Sequence, residues 1–169
     1  ISLEQYINDF GNDDGYNDLK LPERKTKCSS GYDFYCPRDL IVRAHSSLLI
    51  PTGIKVMMDD NMFLALYIRS SMAIKNNLRL VNQVGIIDSD YYNNSDNEGH
   101  IMVCLYNDSD EDIKLKKNER IVQGIFQKFY LTDNDNVSKI RMGGIGCTNH
   151  IGDDYYEKTA TTNHCNSYN

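Results

Sequence analysis

A chain of 169 residues holds one ordinary domain or two very small ones. Its 18 Lys and Arg against 24 Asp and Glu leave a net charge of −6, which argues against non-specific duplex binding, since that needs a basic surface. Hydrophobic residues at 40% and charged residues at 25% exclude wholesale disorder, and no apolar run approaches the roughly 18 residues of a membrane span.

The opening ISLEQYINDF lacks a basic n-region and a long apolar core, so it does not read as a secretory signal. Ser2 followed by Leu3, Tyr6, Ile7 and Phe10 predicts one short amphipathic helix that stops at Gly11. Residues 12–27 read as loop. Strand patterns take over from Ser29 to Tyr130. Leu48-Leu49-Ile50 runs into the turn Pro51-Thr52-Gly53, and Ile54, Val56 and Met58 alternate. Met62, Leu64, Leu66 and Ile68 alternate again, and Ser71 to Lys75 predicts a turn or two of helix. Ile86 and Ile87 predict a buried strand, ending in a partly desolvated Asp88. Ile101, Val103 and Leu105 form a further strand, then Ile113 and Leu115, then a long strand over 121–130. Short strands split by Gly, Pro, Asn and Asp turns predict an all-β sandwich or barrel with very little helix.

The expected organisation is an N-terminal segment at 1–27, a β domain at 28–132 and a C-terminal arm at 133–169. That arm carries a glycine-rich segment at 143–149 and a polar tail. The five cysteines, at 28, 36, 104, 147 and 165, form no C-x-x-C pair, and an odd count does not suit a closed disulfide framework. This points to a reducing compartment and away from a zinc site.

Three segments carry chemistry. Arg69-Ser70-Ser71 closes an alternating strand, and a guanidinium fork beside two hydroxyls suits an anion; an ordinary charged turn has the same composition. Asp88, at the end of Gly85-Ile86-Ile87, is either a structural acceptor or a general base, with Tyr91 near enough to stack on a ring. Gly143-Gly144-Ile145-Gly146-Cys147-Thr148 offers backbone amides to phosphates without matching the Walker pattern; a polar tail is the plain alternative.

In their order, these segments resemble the motifs of the trimeric dUTPase family, over about residues 30–149. Ser30-Gly31-Tyr32-Asp33-Phe34 is similar to the family's A-G-x-D-L. Arg69-Ser70-Ser71 is similar to P-R-S-S/G, with Ile68 in place of Pro. Asn82-Gln83-Val84-Gly85-Ile86-Ile87-Asp88-Ser89-Asp90-Tyr91 matches the third motif nearly throughout. Asn118-Glu119-Arg120-Ile121-Val122-Gln123 resembles G-E-R-I-A-Q, and the glycine segment resembles G-G-F-G-S-T. Leu49-Ile50-Pro51-Thr52-Gly53-Ile54 resembles the family's L-V-P-T-G-L turn.

The resemblance implies a β-barrel or jelly roll assembled as a homotrimer with three shared sites. It implies Mg²⁺-assisted cleavage of dUTP to dUMP and pyrophosphate in the cytoplasm (or a host cytoplasm, for a phage or viral chain), with no nucleic-acid polymer or membrane as partner. Asp88 would orient and deprotonate the water, and Tyr91 would pack beneath the deoxyribose. Asn82, Gly85, Ile86, Ile87 and Met102 would hold the uracil. Arg69, Ser70, Ser71, Gln123 and Arg141 would hold phosphates, Asp33 would reach the metal through water, and residues 143–148 would form a lid. Two other readings stand beside this: a nucleotide-sensing regulatory protein on the same fold, and a dCTP deaminase-type enzyme.

The sequence departs from the family in three places. Ile145 stands where the lid has an aromatic that stacks on uracil, with Tyr155 or Tyr156 as a replacement ring. Arg141 lies one residue nearer the glycines. Residues 92–98 (YNNSDNE) lengthen the turn after Tyr91, as similar insertions do in Gram-positive bacterial and phage members.

Overall fold

The computed structural model describes residues 1–139, 141, 143 and 144. These form nine strands and two α-helices. Helix α1 (Leu3–Phe10) begins where the Ser2 side chain accepts from the Gln5 N–H at 3.1 Å, and ends where left-handed Gly11 donates to Ile7 O at 2.8 Å. Both ends are those the sequence predicts. Its buried face is Tyr6 and Phe10, whose rings stack with centroids 4.0 Å apart.

The strands are β1 (Tyr32–Tyr35), β2 (Leu40–Val42), β3 (Ser47–Pro51), β4 (Met62–Ile68), β5 (Leu78–Leu80), β6 (Gly85–Asp88), β7 (Met102–Asn107), β8 (Ile113–Leu115) and β9 (Arg120–Lys128); helix α2 (Ser70–Asn76) follows β4. They pair antiparallel in three sheets, ordered β1-β9-β4-β6, β3-β7-β5 and β2-β8. All three feed one core: Phe34, Leu64, Leu66, Ile121 and Val122 from the first, Ile50, Leu78, Leu80, Val103 and Leu105 from the second, Val42 and Leu115 from the third. This is the all-β, helix-poor jelly-roll architecture expected. The inner strand β9 approaches its neighbours closely at Gly124, where a Cβ would lie 2.9 Å from both Leu64 and Phe34 side-chain atoms.

Two expectations need correction. Residues 54–58 alternate and pack Ile54, Val56 and Met58 on the core, but they form no strand. The segment has inward-facing side chains without a ladder partner along its length. Strand β6 is not buried: it is the edge of its sheet, Ile86 is 53% exposed, and Asp88 is exposed too. β-branched residues suit an edge strand as well as a central one. Among the described residues, no helix is long and apolar enough to cross a membrane.

His100, fully buried, pins α1 to the barrel. Its Nε2 accepts from the Gly53 N–H at 2.7 Å, so the proton sits on Nδ1 and is donated to Asp9 at 2.5 Å. Burial pushes the imidazole below its ordinary value of 6.5, opposed by the Asp9 carboxylate. A lowered native value means that the unfolded chain takes up the proton first. Stability from this site is therefore complete above pH 6.5 and falls as the pH drops below it, by at most about 1.4 kcal/mol per pH unit for one proton. Urea midpoints between pH 7.5 and 5 should fall for the native chain. They should start lower and fall less steeply for His100→Gln; equal slopes would refute the linkage.

Candidate active site

Strand β4 delivers Arg69 at its end in extended conformation, where the residue caps α2. Its Nε pairs with Asp33 Oδ1 at 3.0 Å, and its Nη1 donates to Arg120 O at 3.3 Å and Ser71 Oγ at 3.4 Å. Arg120 reaches the other Asp33 oxygen at 3.0 Å. Asp33 is therefore a nearly buried carboxylate gripped by two guanidiniums, and the trio keeps one net positive charge. Gln123 lies directly opposite Asp33 in the β1–β9 ladder. Together with Ser70, Ser71 and Lys25 these groups line an open cavity of about 280 Å³. Donors and positive charge dominate it, which suits a polyanion.

Asp88 ends β6, opposite Phe63 of β4. It shares a second cavity, of about 250 Å³, with Asn82, Gly85, Ile86, Ile87, Tyr91 and Met102. The nucleoside residues expected from the sequence are thus brought together with the expected base. Tyr91 is buried in a short 3-10 turn (Ser89–Tyr91), and burial pushes its phenol pKa up. Its hydroxyl donates to His100 O at 3.1 Å and accepts from Asn97 Nδ2 at 2.8 Å.

Arg141 crosses this cavity. Its Nη2 donates to Asp88 Oδ2 at 2.6 Å and its Nε to Asp90 Oδ1 at 2.8 Å, with the guanidinium 5.6 Å from the Tyr91 ring centre. The Gly144 N–H donates to Asp96 Oδ2 at 3.1 Å. Arg141, expected among the phosphate-binding residues, here holds the carboxylate of the expected base. Ile145, Gly146, Cys147, Thr148, Tyr155 and Tyr156 lie outside the described residues.

Among the described residues the two cavities share no lining residue. Asp33 lines the cavity of Arg69, not that of Asp88. Sequence reasoning missed Arg120 and Lys25 on the polyanion side. Arg120 stands inside the same motif as Gln123, so its position was a usable signal.

A family model for dUTPase matches residues 17–147. The chain belongs to the dUTPase family. A deoxyuridine 5'-triphosphate nucleotidohydrolase of Lactococcus lactis subsp. lactis (strain IL1403) is 42% identical over 132 residues, 77% of this chain and 88% of that one. The crystal structure of a dUTPase from Streptococcus mutans matches with a TM-score of 0.66 at 42% identity, over 70% of this chain and 91% of that one. A dUTPase of Staphylococcus bacteriophage 80alpha, with dUPNHPP, shares the fold (TM-score 0.61) at 19% identity, over 73% of this chain and 84% of that one.

In this dUTPase-family chain, Arg120→Ala leaves Asp33 and Arg69 as a neutral pair. Calorimetry should show affinity for inorganic tripolyphosphate falling about tenfold, the scale of one charge-assisted hydrogen bond. Unchanged affinity would remove the trio from anion binding.

Proposed function

We propose that this chain is a dUTP diphosphatase, taking the Mg²⁺ complex of dUTP to dUMP and pyrophosphate. The reaction limits uracil incorporation into DNA and supplies dUMP for dTMP synthesis, and we assign it to the cytoplasm. One observation carries the reading. Asp88, Tyr91 and the outer backbone edge of β6 converge on one cavity in a chain of this family.

Uracil presents a fixed donor and acceptor edge, and an edge strand offers a complementary backbone edge at Gly85, Ile86 and Ile87, with Asn82 and Met102 beside it. The exocyclic amine of cytosine would meet a wrong partner there. Tyr91 lies beneath the deoxyribose and leaves no room for a 2′-hydroxyl. Asp88 takes a proton from a water attacking the α-phosphorus. The new O–P bond forms as the bond to the bridging oxygen breaks, and pyrophosphate leaves. Positioning and charge neutralisation supply most of the catalysis.

The triphosphate and waters would hold most of the ion's coordination, as suits a hard cation that keeps several waters. Asp33, whose two oxygens are engaged by Arg69 and Arg120, would reach it through water. Arg69, Ser70, Ser71 and Gln123 hold phosphates from a second subunit of a homotrimer, and Arg141 leaves Asp88 for the phosphates when the nucleotide binds. The separation of the two cavities supports shared sites. So does the exposed apolar run Phe129, Tyr130 and Leu131 after β9, which a partner copy could cover. Residues 1–27, 28–132 and 133–169 act as N-terminal segment, catalytic barrel and arm, with the glycine segment as lid. A deaminase-type reading would need a Glu in the pocket, and among the described residues the acid lining it is Asp88.

Incubation of dUTP, dCTP, UTP and dTTP with Mg²⁺ should release pyrophosphate from dUTP alone and no ammonia. Asp88→Asn should cut pyrophosphate release at least a thousandfold, about 4 kcal/mol of barrier, while dUTP binding stays within a few fold. Normal turnover by that variant would remove Asp88 as base. A monomer by sedimentation would overturn the shared sites.

A further inference from the structure

Residues 92–98 form a closed knot of turns. The Asn93 N–H donates to Glu98 O at 3.0 Å, and the Glu98 N–H donates to Asn94 O at 3.1 Å. Buried Asn94 donates its amide to Tyr91 O at 2.8 Å, and its Oδ1 accepts from the N–H groups of Asp96 and Asn97 at 3.0 and 3.1 Å. Gly99 closes the knot in a left-handed conformation, φ 80°, and a Cβ there would lie 2.6 Å from Tyr91 O. Such close self-packing gives the segment a single shape.

One end of this knot reaches the sugar wall. Asn97 Nδ2 donates to the Tyr91 hydroxyl at 2.8 Å, while Asn97 Oδ1 accepts from Asn94 Nδ2 at 2.9 Å and the Gly99 N–H at 3.1 Å. The amide is therefore oriented, with its donors toward the phenol. The phenol's own proton goes to His100 O. With both partners fixed, the ring cannot tilt away from the cavity without leaving a buried hydroxyl short of a partner. Asn97 itself does not line the cavity. The other end is anchored apart from Tyr91: the Glu98 carboxylate accepts from Ser2 N at 2.9 Å and Ser2 Oγ at 2.5 Å, and pairs with Lys55 at 3.3 Å.

We propose that Asn97 is a positioning residue for sugar discrimination: through its bond to the Tyr91 hydroxyl it holds the ring where a 2′-hydroxyl is excluded. The inserted segment 92–98 is the scaffold that aims it. This rests on the assignment of Tyr91 to the deoxyribose. A ring free to swing aside makes room for one more oxygen atom, whereas a braced ring does not. Ribonucleotide rejection then depends on a residue that never touches the substrate.

The test compares kcat/KM for dUTP and UTP in the full-length protein with Mg²⁺. Asn97→Ala should lower the dUTP/UTP ratio about tenfold, the upper end for one neutral hydrogen bond, chiefly by raising activity on UTP, with kcat for dUTP within about threefold. Asn97→Leu keeps the shape of the side chain and loses every hydrogen bond of its amide, that to the phenol included. It should lower the ratio likewise, and it serves if the alanine variant does not fold. Glu98→Ala loosens the anchor at Ser2 and should lower Tm while leaving the ratio unchanged. An unchanged ratio in a folded Asn97 variant, or an equal drop in Glu98→Ala, would overturn the proposal. Tyr91→Ala tests the underlying assignment separately: if it leaves the ratio intact, the deoxyribose reading itself fails.

Discussion

Strand β4 fixes where Asp88 and Arg69 stand. β4 runs from Met62 to Ile68, with Phe63 paired to Asp88 and Arg69 directly after its last residue. At about 3.3 Å per residue, Asp88 and the cationic end lie about 20 Å apart. The hydrogen-bonded pairing of β4 with both β6 and β9 forbids shortening that distance. The cavity of Asp88 runs along β6 as far as Gly85, opposite Leu66, and the cavity of Asp33 and Arg69 opens past the end of β4. In the proposed trimer, copies brought side by side join the two cavities, which share no lining residue among the described residues of one chain.

Charge is distributed by the same logic. The chain is acidic overall, yet Arg69 and Arg120 converge on the single carboxylate of Asp33. That arrangement solves two problems at once: two guanidiniums side by side would repel, and one carboxylate holds them without cancelling both. Arg141 plays the complementary part at the other cavity. Its guanidinium bridges Asp88 and Asp90, so that trio keeps one net negative charge. Net charge alone therefore says little about whether a phosphate can bind.

Much of this was legible in the sequence, and the exceptions have reasons. Helix α1 was legible at both ends because Ser2 and Gly11 are local signals. β4 and β7 were legible because they are long enough to alternate. β2 and β5 span three residues each, too few to show a period, and they exist because β8 and β7 pair with them. Residues 54–58 show that alternation reports side-chain direction, not a ladder. At β6 the sequence shows β-branched residues but not how many neighbours the strand has. The residue types of the site were legible from motif order. The grip of Arg69 on Asp33, 36 residues away, was not, because it depends on the β1–β9–β4 order.

The inserted segment shows how a local irregularity acquires meaning from distant contacts. Read alone, YNNSDNE is a run of turn formers. In the fold, His100 joins it to two other parts of the chain. Its backbone carbonyl accepts the Tyr91 hydroxyl, and its ring is clamped between Asp9 of α1 and the Gly53 amide of the turn after β3. Ser2, at the start of the same helix, grips Glu98 at the end of the insertion. The N-terminal helix therefore reaches the Tyr91 turn by two routes, through His100 and through Glu98 of the knot, without lining the cavity. A loop this rich in Asn would lose much conformational entropy on ordering. It is held by contacts at both ends, one of them to a residue 96 positions earlier in the chain.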